Sequence, residues 1–284
     1  MREGSIRLAD GGTVAFTEAG APEGVPIFYC HGAPGSRLDV VWLDEAFAKL
    51  GLRVVSADRP GIGGSSPSRG PRAMADWARP VGELADHLGI DRFGVLGLSS
   101  GGPYVVACAA LLADRVVGAA VVAGVTDMGW PAAFDDWPED DEKTIMRIGD
   151  EQAASAWCVE HYGEDGAGFF AAPMELSPPD TRVMEDEAFM GGLLPTFAEA
   201  FVQGVAGYAE DIIVQGRAWT FDVSSIRCPV RVYHGEQDTI VPLSHGRHTA
   251  EMIAGSTLTT FPQHGHISMI TEITTIAADL ANTA

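Results

Sequence analysis

The chain has 284 residues, 46% of them hydrophobic, with 39 acidic against 18 basic side chains and a formal net charge of -21. That length and apolar content suffice for one large domain with an insertion, or for two smaller domains. The charge repels phosphate backbones and anionic lipid headgroups, which argues against a nucleic acid or membrane partner; it fits solubility, or a salty cytoplasm, better than a cationic ligand.

Taken in chain order, the first residues, Met1 to Ser5, lack the apolar stretch of a secretory signal, and no run of about 18 apolar residues occurs that could span a bilayer. A cytoplasmic protein is expected. Segments 5–9 and 14–18 flank Asp10-Gly11-Gly12-Thr13 and read as an N-terminal hairpin. Short apolar runs at 25–30, 52–57, 93–96, 116–125 and 230–233 read as buried strands. Helical patterns lie near 38–50, 73–88 and 104–113, the second carrying Pro80 as a possible kink or break. Such alternation predicts a mostly parallel sheet with helices on both faces.

After Val125 the alternation stops. Between Asp127 and about Trp219 aromatic and methionine residues gather among acidic, helix-like segments, and the sheet pattern then resumes at 229–233 and 256–261, with a terminal helix from about Ser268. The expected layout is a core at 1–126 and 220–284 interrupted by a helical insertion at 127–219. Cys30, Cys108, Cys158 and Cys228 form no C-x-x-C pair and no cluster with histidines, so they read as buried thiols of a reducing compartment. No nucleotide, metal or flavin motif occurs; neither cofactor nor metal is expected.

Gly97-Leu98-Ser99-Ser100-Gly101 follows a strand pattern and precedes a helical one. This is the context in which G-x-S-x-G forms a nucleophile elbow, a tight turn whose glycines let strand and helix approach while the serine hydroxyl is held out. A serine needs a base to take its proton, and that base needs an acid to orient it. Asp238 lies in a loop after a buried strand, and His266 lies between the last strand and the last helix. Glu236 and Asp127 compete with Asp238, and His264 competes with His266. His31 and His234 read as structural histidines bonded within their turns.

With Ser, Asp and His in that order, the chain resembles the α/β-hydrolase superfamily. His31-Gly32-Ala33-Pro34-Gly35 matches that family's H-G-x-P turn, and Asp58-Arg59-Pro60-Gly61-Ile62-Gly63 its D-x-P-G-x-G turn. The resemblance covers nearly all of the chain outside the insertion. It implies an eight-stranded, mostly parallel sheet with a helical cap, Ser99 as nucleophile, Asp238 as acid and His266, rather than His264, as base. The backbone N–H groups of Ala33 and Ser100 would form the oxyanion hole, since Pro34 has no N–H.

A serine in the elbow points to acyl chemistry or a related C–C cleavage. The expected activity is hydrolysis of small, largely apolar esters or lactones through an acyl-enzyme, without a cofactor. The alternatives are a C–C hydrolase of diketone-like compounds and a ligand receptor on the same fold with little turnover. Aromatic residues of the insertion, Trp130, Phe134 and Trp157 among them, are candidates for the wall of a pocket beneath the cap, although such residues are more often core. The sequence carries no signal for oligomeric state.

Overall fold

A computed structural model describes residues 1–171 and 175–282. Eight strands make one sheet in the order β1-β2-β4-β3-β5-β6-β7-β8: β1 (Arg2–Arg7), β2 (Thr13–Gly20), β3 (Val25–Cys30), β4 (Leu52–Ala57), β5 (Phe93–Leu98), β6 (Val116–Val122), β7 (Val230–Gly235) and β8 (Thr257–Phe261). The β1–β2 hairpin joins the rest antiparallel through β2 against β4, and every pairing from β3 to β8 is parallel. Strands β3 to β8 therefore all open their C-terminal ends on one edge of the sheet.

Helices cover both faces: α1 (Asp44–Lys49), α2 (Ala78–His87), α3 (Gly102–Leu111), α4 (Asp141–Ile148), α5 (Glu151–Tyr162), α6 (Pro178–Met184), α7 (Glu187–Ala200), α8 (Ala206–Gln215), α9 (Leu243–Met252) and α10 (Ile273–Ala281). Adjacent strand residues serve opposite faces, as the pleat requires. Phe28, Val55 and Val95 pack with Trp77, Leu84 and Val105 on one side, whereas their neighbours Ile27, Val54 and Leu96 pack with Phe47, Ile273 and Ile276 on the other. Strand β5 is buried along its whole length, and α3 is buried at every position but Leu111. That is why this strand–turn–helix unit reads as almost wholly apolar and small in the sequence.

Several elements differ in detail from the sequence reading. The segment expected to be helical from 38 divides into a 3₁₀ stretch, Arg37–Leu43, capped by the Ser36 side chain, and then α1. Met74–Trp77 is likewise 3₁₀, and Pro80 breaks nothing: it is the third residue of α2, in the first turn, where a backbone N–H has no intrahelical partner to lose. The four cysteines are free thiols, but Cys228 is only partly buried. Helices α4 to α8 all lie between β6 and β7, where the strand pattern was seen to stop. Their own core joins Ile145, Cys158, Tyr162, Tyr208 and Ile212 to Ile62, Val125 and Val241 of the sheet's loops. Among the described residues no helix is long and apolar enough to cross a membrane.

Candidate active site

Ser99 stands where β5 passes into a 3₁₀ turn, Ser99–Gly101, and α3, with φ at +54°. A non-glycine residue in the left-handed region costs about 1 kcal/mol or more and persists only where its surroundings over-determine it. Here the two glycines do so. A Cβ at Gly97 would lie 2.7 Å from the Gly101 carbonyl oxygen and from Val105, and one at Gly101 would lie 2.0 Å from the carbonyl oxygen of Cys30 on β3. Gly101→Ala should therefore force α3 away from β3 and destabilise the fold by about 1–3 kcal/mol. A denaturation midpoint equal to that of the wild type would contradict this account of the elbow.

Ser99 is 8% exposed, and its hydroxyl makes no hydrogen bond among the described residues. Across the sheet edge, Asp238 follows β7 and His266 precedes the 3₁₀ stretch Ile267–Glu272. Asp238 Oδ1 accepts from the backbone N–H groups of Ile240 and Val241 at 2.9 Å each, while its Oδ2 lies 2.8 Å from His266 Nδ1. The carboxylate is fully buried, which works against its charge. His266 and His234 beside it outweigh that cost and hold its pKa well below the usual carboxylate range. Burial likewise disfavours charged His266, yet Asp238, Asp180 and Glu142 raise its pKa above that of ordinary imidazole. With Nδ1 bonded to Asp238, Nε2 is the nitrogen left for chemistry.

The turn after β3 closes the site from the other side: a Cβ at Gly32 would lie 3.7 Å from Ser99 Cβ. The Ala33 N–H makes no hydrogen bond among the described residues. Ser100 sits in the first turn after the strand, where N–H groups lack intrahelical partners. The D-x-P-G-x-G turn after β4 is built around Asp58, whose carboxylate accepts from the N–H groups of Arg37 and Gly64; a Cβ at Gly63 would lie 2.2 Å from it.

A sequence-family profile described as alpha/beta hydrolase fold matches residues 25–155. A solved alpha/beta hydrolase fold protein from Nakamurella multipartita superposes with a TM-score of 0.72 at 25% identity, covering 99% of both chains. The chain has the α/β-hydrolase fold. An enol-lactonase from Burkholderia xenovorans superposes on this hydrolase fold with a TM-score of 0.69 at 20% identity, again over 99% of each chain. A bifunctional esterase/perhydrolase of Acinetobacter calcoaceticus is 26% identical over 98% of each chain.

Within this α/β-hydrolase fold the competing residues are otherwise engaged. Asp127 Oδ1 accepts from Gly129 N and Trp219 N, Glu236 accepts from Thr260 Oγ1, and His264 lies 3.3 Å from Glu272. His31 hydrogen-bonds the Gly32 carbonyl through Nδ1 and accepts from Arg59 N through Nε2. His234 is less detached than a purely structural histidine: its Nε2 bonds the Val241 carbonyl and lies 3.2 Å from Asp238 Oδ2.

Sequence reasoning missed the residues that the inserted helices bring to these loops. Asp180 of α6 accepts from His266 N and Ser268 N, at 2.9 and 2.8 Å. Thr196 of α7 bonds Ser36 and Asp39 beside the Ala33 turn. Asp211 of α8 pairs with Arg59. Glu142 of α4 accepts from Tyr208 Oη at 3.4 Å, and desolvation, with Asp140 adding repulsion, pushes its carboxyl up to about 8. None of these residues stands in a local motif. Trp130 stacks on His248, Phe134 lies beside Trp137 and Arg147, and Trp157 stacks on His161, all three packed against the insertion's core. Among the described residues no group of three or more His, Cys, Asp or Glu side chains is placed to hold a metal ion.

Proposed function

We propose that this α/β hydrolase cleaves small, largely apolar carboxylic esters or lactones, with Ser99 as nucleophile, His266 as base and Asp238 as the acid that orients it. The observation that carries the reading is Ser99 itself, a serine held at φ +54° between a buried strand and a helix, because that turn holds the hydroxyl out at the C-terminal edge of the sheet, as in a nucleophile elbow. The paired Asp238 and His266 stand at the same sheet edge, and among the described residues Nε2 makes no hydrogen bond. Among the described residues His266 bonds Asp238 and not Ser99; the proposed serine–histidine bond forms as substrate binds.

In the proposed cycle Ser99 Oγ adds to the ester carbonyl while His266 Nε2 takes its proton. The carbonyl oxygen becomes an oxyanion facing the N–H groups of Ala33 and Ser100. Collapse expels the alcohol, which receives the proton from His266, and leaves the acyl group on Ser99. His266 then deprotonates water, which adds to the acyl carbonyl; the acid departs and Ser99 regains its proton. The names of the relatives, an esterase/perhydrolase and an enol-lactonase, belong to the same reaction class.

The test is labelling with a fluorophosphonate, which reports a reactive serine and separates an enzyme from a binding protein. Turnover of a panel of esters, lactones and diketones then assigns the bond cleaved. Absence of labelling, or turnover of diketones alone, would overturn the proposal. We further propose that residues 127–219 form a cap whose apolar underside sets substrate preference. Serine substitutions at Trp130, Phe134 and Trp157 should, as a set, reorder the substrate panel while changing the fluorophosphonate labelling rate less. An unchanged ranking across all three would remove them from the pocket wall.

A further inference from the structure

One buried side chain holds both carbonyls of the two peptide planes that lead into Ala33. Arg59, 1% exposed, spans from the turn after β4 to the turn after β3. Its Nη1 donates to the His31 carbonyl at 2.6 Å and its Nη2 to the Gly32 carbonyl at 2.9 Å. The Gly32 N–H goes to Asp39 Oδ2 at 3.3 Å. Of the four groups in the peptide planes His31–Gly32 and Gly32–Ala33, three are thus taken, and only the Ala33 N–H is left. A trans peptide is planar, with C=O and N–H pointing in opposite directions. A guanidinium that fixes the Gly32 carbonyl therefore fixes the Ala33 N–H as well, and turns it away from Arg59.

Arg59 is itself held on its remaining side. Asp211 of α8, 1% exposed, takes Nε at 3.0 Å and Nη2 at 2.8 Å. Tyr104 of α3, whose helix begins just beyond Ser99, donates to Asp211 at 2.6 Å and lies under the Arg59 guanidinium at 4.7 Å. Arg72, at 3.0 Å, and Gln215, at 3.3 Å, complete the carboxylate's shell. Arg59 is the position that the D-x-P-G-x-G pattern leaves open.

We propose that Arg59, clamped by Asp211 of the inserted helices, is the positioning residue of the oxyanion turn. Its two carbonyl contacts aim the Ala33 N–H at the space in front of Ser99, and α8 thereby contributes to transition-state stabilisation without touching substrate. Lysine at this position keeps the charge but not the planar fork that serves two carbonyls and a carboxylate at once.

The inference rests on Ser99 acting as the nucleophile, so fluorophosphonate labelling of the wild type comes first; failure there removes the functional reading and not this geometry. The discriminating probe is a boronic acid, whose tetrahedral adduct on Ser99 presents an anionic oxygen to the turn, compared with an uncharged ester analogue that forms no adduct. Arg59→Lys is expected to lose kcat on the order of 10²-fold, the scale of one oxyanion donor. Boronate affinity should fall in step, while KM and ester-analogue affinity stay within about twofold, a split between transition state and ground state that a loss of packing alone does not produce. Tyr104→Phe removes one donor to Asp211 and one acceptor of Arg72 and leaves every charge in place, so it serves if Arg59→Lys does not fold; a smaller loss in the same two readouts is expected. Boronate affinity and kcat equal to wild type in a folded variant overturn the inference.

Discussion

Ser99→Ala is expected to reduce ester turnover by at least about 10⁴-fold, towards the roughly 10⁶-fold in kcat lost when the nucleophile of a serine protease is removed. The fold should be untouched. The hydroxyl makes no hydrogen bond among the described residues, and alanine suffers the left-handed φ no more than serine does. A second variant separates chemistry from strain: Ser99→Gly removes the nucleophile equally but relieves the backbone, and should be more stable to denaturant than Ser99→Ala by about 1 kcal/mol. Unchanged turnover in purified Ser99→Ala would end the proposed mechanism. Equal stability of the alanine and glycine variants would show that the turn's conformation costs nothing and that Ser99 is not held under strain.

What could be read from the sequence was what is local. Gly97, Ser99 and Gly101 sit within five residues because a strand must turn into a helix there, and steric demands on adjacent residues leave a contiguous trace. The same holds for Asp58 and Gly63 of the second turn, and for strands whose pleat writes itself as apolar runs. Asp238 and His266 could be found because each follows a strand, although the partition between His264 and His266 came from resemblance rather than from any property of the residues. The ties from the inserted helices were not readable. Asp180 reaches His266 across 86 positions, Asp211 reaches Arg59 across 152 and Thr196 reaches Ser36 across 160. A carboxylate that ends up buried on a backbone N–H looks, in a chain with 39 acidic residues, like any solvated one. The 3₁₀ stretches escaped for a related reason: their short period leaves too few residues to distinguish it from the start of an α-helix.

Those long-range ties bear on the second large effect, that of the acid. Asp238→Asn should lower turnover on the order of 10⁴-fold, as neutralising the triad acid does in a serine protease, because an amide can donate to Nδ1 and so favour the tautomer in which Nε2 carries the proton. The pH profile adds a test of cause. His266 must be neutral to act as base, so activity is lost as pH falls through its pKa. That pKa stands above the ordinary imidazole value because Asp238, Asp180 and Glu142 favour the charged ring more than burial disfavours it. Removing the charge at Asp238 takes away the foremost of these, so the residual activity of Asp238→Asn should have its acid limb at lower pH than the wild type. Asp127→Asn should do neither, since Asp127 Oδ1 is bonded to the N–H groups of Gly129 and Trp219, which an amide oxygen can still accept. A loss below about tenfold in Asp238→Asn, or a larger one in Asp127→Asn, would move the acid to the end of β6. A full loss of turnover with the limb unmoved would keep Asp238 as the orienting group while showing that its charge is not what raises His266.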